Sequence, residues 1–288
     1  MTRAVNEATV PRREQKAKRA HRSDARPRGW YDAPMSERPR SPVDPRAELP
    51  EIDVREHGAK RGDVEQAMDR RLFLQLLVFT APTGVDTQRY ADAFRAAFDE
   101  NANLVGTVYA DANDPRGFAL LSWSEHPEYF VDEVRALFRR ELLRDLKLRP
   151  EMTMLGRTYA GGYEQNLAFW LLQRPIDTVS NPAWGWHVWY PLRRIGMFER
   201  LPDEQKRAIL GEHGLIGRAY GATDLAHDIR LACHGLDAND NEFVIGLIGP
   251  NLHPLSHVVQ SMRKTIQTSE YIQHMGPFFV GRVLFQKR

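Results

Sequence analysis

The sequence predicts an α+β protein made of two fused ferredoxin-like units, each running β-α-β-β-α-β. Three observations lead there. Short apolar runs alternate with longer stretches that carry apolar residues at helical spacing. The order of these elements over 71–183 recurs over 184–288, which marks an internal duplication. The tripeptide Ala-Asn-Asp also falls at the same place in each half, Ala112 to Asp114 and Ala238 to Asp240.

In the first half, "LFLQLLVFTA" from Leu72 reads as a buried strand, and "DTQRYADAFRAAFDE" as an amphipathic helix that Asp86 can cap. "LVGTVYAD", the turn "ANDPRG" and "FALLSWSE" read as a strand pair. "HPEYFVDEVRALFRRELLRDL" is a second helix and "MTMLGRTYAGGYE" the closing strand. The second half repeats the order. "WHVWYPL" is a strand, and "LPDEQKRAILGEHG" a helix with Pro202 in its first turn. "DIRLACHGL" and "EFVIGLIG" pair across "DANDN", "HPLSHVVQSMRKTIQTSEYIQHM" is a long helix, and "GPFFVGRVLF" closes the sheet.

Residues 1–70 differ in kind. "VPRREQKAKRAHRSDARPRGW" and "MSERPRSPVDPRAELPE" are rich in Arg, Pro and Glu and poor in large aliphatics, the composition of a disordered, basic tail. Function is expected to reside in the 184–288 unit rather than the 71–183 unit, because unusual side chains collect there. A net charge of +2 gives no overall nucleic-acid signature. The single cysteine, Cys233, excludes an internal disulfide and a cysteine-cluster metal site. With no spanning apolar run and no signal-peptide pattern, no membrane insertion and a cytoplasmic location are expected.

Unusual side chains gather in the second half. "RAILGEHGLIGRAYG" places His213 where the pattern suggests that a helix stops, as a C-terminal cap or as a metal ligand. Strand period two puts Trp186, Val188, Tyr190, Leu192 and Arg194 on one face. Arg263, Gln267 and Glu270 share one helical stripe, with Ser269 beside it. No Gly-rich phosphate loop and no Gly-x-Ser-x-Gly nucleophile motif occurs.

In order along the chain, "WYPLRR", "LPDEQKRAILGEHGLIGRAY", "GLDANDNEFV" and "SMRKT…GPFFVG" resemble the motifs of the chlorite dismutase family, which includes the coproheme decarboxylases. The resemblance runs from about Leu72 to the C-terminus and is sharpest between Trp189 and Gly281. It implies a fold of the dimeric α+β barrel type, assembly as a homo-oligomer (a pentamer), and haem b or iron coproporphyrin III bound by the C-terminal unit alone. His213 would be the axial ligand of the iron. Tyr190 would carry oxidising equivalents to the propionates, while Arg194, Arg263 and Ser269 would bind those propionates.

Three departures qualify what the resemblance implies. Where chlorite dismutases place a distal arginine, this chain has Ala226, followed by His227, with Arg230 nearby; His227 is then a candidate acid–base for peroxide, or a surface histidine. Gln267 stands where a glutamate often lies behind the axial imidazole, a neutral acceptor in place of an anionic one. The segment between His213 and Arg263 is also longer than the family's, mainly at "DAND" and "PNLHPL". The expected function is peroxide-dependent decarboxylation of coproheme to haem b, a step of haem biosynthesis. The alternatives are a chlorite-decomposing enzyme or general haem peroxidase, a non-catalytic haem carrier or sensor, and a scaffold without cofactor.

Overall fold

The computed structural model describes residues 48–60 and 62–288. In chain order the strands and helices begin with β1 (Glu56–His57), β2 (Ala67–Met68), β3 (Phe73–Thr80), α1 (Thr87–Glu100), β4 (Gly106–Asp111) and β5 (Gly117–Ser124). A π-turn at Phe130–Val134 leads into α2 (Arg135–Leu137), then β6 (Lys147–Leu148) and β7 (Met154–Arg157). A second π-turn, Phe169–Gln173, continues as α3 (Arg174–Val179). The second repeat comprises β8 (Trp186–Arg194), α4 (Asp203–Ala222), β9 (His227–Ala232), β10 (Phe243–Gly249), α5 (Leu252–Met262), β11 (Ile272–Met275) and β12 (Phe279–Lys287).

Each repeat forms the antiparallel sheet that the element order predicts, β7-β3-β5-β4 in the first and β12-β8-β10-β9 in the second. The repeats join at both edges. β4 pairs with β12 along most of its length, and β7 meets β9 at the single register pair Arg157↔Ala232. The sheet therefore closes on itself as a barrel, which hides the edges that a lone ferredoxin-like unit would expose.

Strand alternation then divides the apolar residues between two sides. Leu74, Leu76 and Val78 of β3, Leu121 and Trp123 of β5, Trp189, Ile229, Leu231 and Phe279 fill the barrel interior, all nearly inaccessible. Burial of each such side chain is worth about 1.5–3 kcal/mol. On the outer face of the first repeat, α1 lays Tyr90, Phe94, Ala97 and Phe98 on the sheet. Its start is fixed by Asp86, whose carboxylate accepts from Gln88 N at 2.9 Å. The outer face of the second repeat carries Val188, Tyr190, Leu192, Ala226 and Leu247 beneath α5 residues Leu255 and Val258.

Beyond the second helix of the first repeat, which is helical over 130–137 rather than 126–146, four expectations change. Glu56–His57 and Ala67–Met68 belong to the fold rather than to a tail: β1 pairs with β2, and Glu56 accepts from Arg157 Nη1 (2.8 Å) and Ala160 N (2.9 Å). The expected tail at 1–47 lies outside the described residues. Second, α4 does not stop at His213 but continues to Ala222, so the Glu-His-Gly stretch is mid-helix and the capping reading falls. Third, the long helix expected from His253 to Met275 ends at Met262. A π-turn at Gln267–Tyr271 and then β11 follow, so Arg263, Gln267 and Glu270 share no continuous stripe. Fourth, α3 between the repeats has no counterpart in the sequence reading.

Candidate functional site

The candidate residues gather in the second repeat, where α4 faces the outer side of the sheet. At helical spacing Ile209, His213, Ile216, Gly217 and Tyr220 share one face of α4, but only Ile209 is fully buried. A helix of 20 residues with one buried side chain is not packed tightly along its apolar face.

His213 is half-buried, and its Nδ1 is inaccessible with no hydrogen-bond partner. Burial holds its pKa below the ordinary value, and the nearby Arg230 guanidinium adds to this, so the ring is neutral with a lone pair to offer. The amide oxygen of Gln267 is likewise buried and unpartnered. The two segments are tied together by Glu212, whose carboxylate accepts from Ile266 N at 3.0 Å. An Nδ1–H directed at the Gln267 amide would satisfy both orphaned atoms and leave Nε2 for a metal. Among the described residues no three His, Cys, Asp or Glu side chains converge to hold a bare ion. A single imidazole therefore fits a metal that brings its own equatorial ligands, as a porphyrin iron does.

The opposite wall is set by register. Tyr190 of β8, Ile245 of β10 and Arg230 of β9 form one cross-strand row; Val188, Leu247 and Asp228 form the next. Tyr190 is 7% exposed and its ring stacks on Phe278 at 4.5 Å. Burial raises its hydroxyl pKa well above the usual phenol value, Asp228 adds to the rise, and Arg263 opposes it. Asp228 accepts from Arg174 Nη2 at 3.1 Å and pairs with Arg230 Nε at 3.1 Å. Burial disfavours its charge, yet the two arginines win and hold the carboxyl below its usual range. Arg174 comes from α3 and Asp228 from β9, a pairing across 54 residues that no local pattern signals.

The remaining sequence candidates divide. Arg263 is exposed and forms no ion pair among the described residues, and its charge reaches Tyr190. It is available for an anion. Arg194 is not. Its guanidinium pairs with Glu242 (3.1 Å) and Glu199 (2.9 Å) and lies over the rings of Phe198 and Phe243. Ser269 donates its hydroxyl to Thr265 O within its own turn, at 2.8 Å. His227 sits in the row of His187 and Ile248, on the barrel side of the sheet away from Tyr190. Its Nε2 meets Asp224 at 2.7 Å and its ring stacks on Trp184 at 3.7 Å. Period two carries Ala226, Asp228 and Arg230 to the α4 side and His227 to the other.

Comparisons with known proteins bear on the family and the fold. A coproheme decarboxylase from Mycolicibacterium smegmatis is 29% identical over 93 residues, which is 32% of this chain and 37% of that relative's length. A haem-binding protein from Thermus thermophilus superposes with a TM-score of 0.59 at 18% identity, over 75% of this chain and 92% of that one. The chlorite dismutase of Candidatus Nitrospira defluvii in complex with imidazole gives 0.59 at 11% identity, over the same shares. These two structures support the fold. The family model for chlorite dismutase matches residues 88–284, more than half of the sequence, and by that measure the chain belongs to the chlorite dismutase family.

Proposed function

We propose that this chain holds an iron porphyrin between α4 and the sheet face of its second repeat, and that it decarboxylates coproheme to haem b with hydrogen peroxide. The observation that carries the reading is that His213, unpartnered on α4, lies within reach of the Arg230 and Asp228 charges, and that Arg230 shares a cross-strand row with the buried Tyr190. When bound, the porphyrin iron supplies the redox centre for peroxide, and the propionates of coproheme are the groups that react.

The chain's own residues do the rest. His213 would hold the iron through its Nε2 lone pair, and the unpartnered Gln267 amide oxygen would accept the ring N–H without the electron push of a carboxylate. Burial keeps Tyr190 protonated, so it gives up an electron and a proton together and then takes a hydrogen atom from the propionate side chain. Each propionate, with one peroxide and one proton, yields a vinyl group, carbon dioxide and two waters. Arg263 orients a propionate by a charge-assisted hydrogen bond. Asp228, held ionised between Arg174 and Arg230, takes the acid–base role that the sequence offered to His227. We extend the reading to a homo-oligomer, a pentamer as the family resemblance implies.

Mass spectrometry of the porphyrin after mixing the protein with iron coproporphyrin III and peroxide tests this. Loss of two carboxyl groups is expected, and Tyr190→Phe should lose that product while retaining bound porphyrin. Full turnover by Tyr190→Phe would refute the relay. A second reading, a chlorite-decomposing or general peroxidase enzyme, is favoured by Arg230, a cation on the same wall. It predicts rapid oxygen release from chlorite that Arg230→Ala abolishes. A porphyrin that returns unchanged from both assays would indicate a carrier.

A further inference from the structure

On the other side of the same sheet, inside the barrel, a tyrosine and a histidine are sealed together. Tyr109 and His187 are both 0% exposed. The His187 Nε2–H donates to Trp184 O at 3.1 Å, which leaves Nδ1 to accept from the Tyr109 hydroxyl at 2.8 Å. Packing alone would be met by phenylalanine and an aliphatic. Instead the fold buries a phenol on a base whose tautomer is fixed.

The neighbouring rings are held flat by missing side chains. A Cβ at Gly246 would come within 2.6 Å of the Trp189 indole, and one at Gly281 within 2.9 Å of the Tyr109 ring. Phe279, the cross-strand partner of Trp189, meets Tyr109 edge-on at 5.7 Å. The Trp189 Nε1–H is buried without a hydrogen-bond partner, and it lies close enough to the Tyr109 hydroxyl to favour the ionised phenol. Trp189 is also the residue next to Tyr190. Two consecutive side chains thus reach from the porphyrin face to the barrel interior.

We propose that Tyr109 and His187 form a redox-active pair, which takes up an oxidising equivalent delivered through Trp189. In that step one electron passes from the phenol of Tyr109 to the oxidised Trp189 indole, and the hydroxyl proton moves to His187 Nδ1. The products are a neutral phenoxyl, a protonated imidazole and a restored indole; return of one electron reverses both transfers. The oxidant is hydrogen peroxide at the porphyrin face, which takes two electrons and two protons to give two waters, so one peroxide accounts for two such one-electron steps. That source rests on the function proposed above, whereas the pair itself does not. Its use is to divert oxidising equivalents that find no propionate at Tyr190.

Laser flash photoionisation of tryptophan in the porphyrin-free full chain tests the pair directly. The tryptophanyl absorption should decay into tyrosyl absorption, and heavy water should slow that decay because the proton moves in the same step. Tyr109→Phe should lose most of the tyrosyl yield. His187→Gln keeps a hydrogen-bond acceptor beside the phenol but removes the base, so a merely structural role would survive it; loss of the yield is expected. Tyr90→Phe, at a buried tyrosine without a histidine partner, should leave the yield unchanged. Equal yields in wild type and His187→Gln, with no heavy-water effect, would overturn the proposal even if Tyr109→Phe fails to fold. With iron coproporphyrin and peroxide, a tyrosyl resonance dependent on Tyr109 should appear in rapid-freeze paramagnetic resonance. Its absence, with the flash result positive, would overturn the link to the porphyrin face and not the pair.

Discussion

Arg194 and Arg263 carry the same charge near the same pocket and should behave oppositely. The Arg194 guanidinium joins β8 to Glu242 and Glu199, and only 10% of its side chain is exposed. Removing the guanidinium strands the largely buried Glu242 carboxylate while the exposed Glu199 stays in water, so Arg194→Ala should cost roughly 2 kcal/mol in thermal or denaturant unfolding. Arg263→Ala should leave the midpoint nearly unchanged and weaken porphyrin binding by about tenfold, about 1.4 kcal/mol. Equal stability loss in both variants would contradict the assignment. At this scale the sequence was legible where alternation suffices. Period two placed Tyr190 on one face with Val188 and Leu192, as the structure has it, and the same rule read along β9 puts Asp228 and Arg230 on that side and His227 on the other. The engagement of Arg194 was not legible, because Glu242 is 48 residues away and only register brings it near.

Among the elements, α4 departs most from what local chemistry suggests. Gly211, Gly214, Gly217 and Gly221 all lie inside it, and each such residue costs a helix about 1 kcal/mol relative to alanine. A Cβ at Gly214 would meet only the flexible end of Arg218, at 3.6 Å. Gly214→Ala should therefore stabilise the porphyrin-free protein by roughly 0.5–1 kcal/mol, measured by urea unfolding; destabilisation would mean that the helix is strained there. The same glycines explain why the sequence suggested a stop at His213: His-Gly is a common helix end, and nothing local shows that Ile216 and Tyr220 carry the apolar face onward. The π-turn that follows α5 was equally hidden. Its helical spacing continues through Arg263 and Gln267 while the chain is already turning into β11.

For the whole molecule, the duplication was readable because each repeat writes its own strand and helix periods. The closure came from the family resemblance, which implied a barrel, and not from local chemistry, since the β4–β12 and β7–β9 pairings join segments with no local signal for one another. Closure creates the sealed interior, and that interior has a pH signature. Burial pushes the His187 pKa down to about 3 from an ordinary 6.5. The unfolded chain thus takes up a proton from solvent that the folded chain refuses, whereas the phenol proton reaches His187 only once Tyr109 is oxidised and its hydroxyl becomes a strong acid. The resulting stability is fully present above about pH 6.5 and is lost as pH falls toward 3, by at most about 5 kcal/mol. Unfolding free energies measured across that window should slope more steeply in wild type than in His187→Gln; matching slopes would place the acid sensitivity elsewhere. The central claim concerns the other side of the sheet, and a spectroscopic titration of porphyrin-free protein with iron coproporphyrin III addresses it most directly. The wild type should shift the Soret band and saturate at one porphyrin per chain, while His213→Ala should lose the shift and bind at least about tenfold more weakly. Identical spectra and affinities for the two proteins would contradict the account.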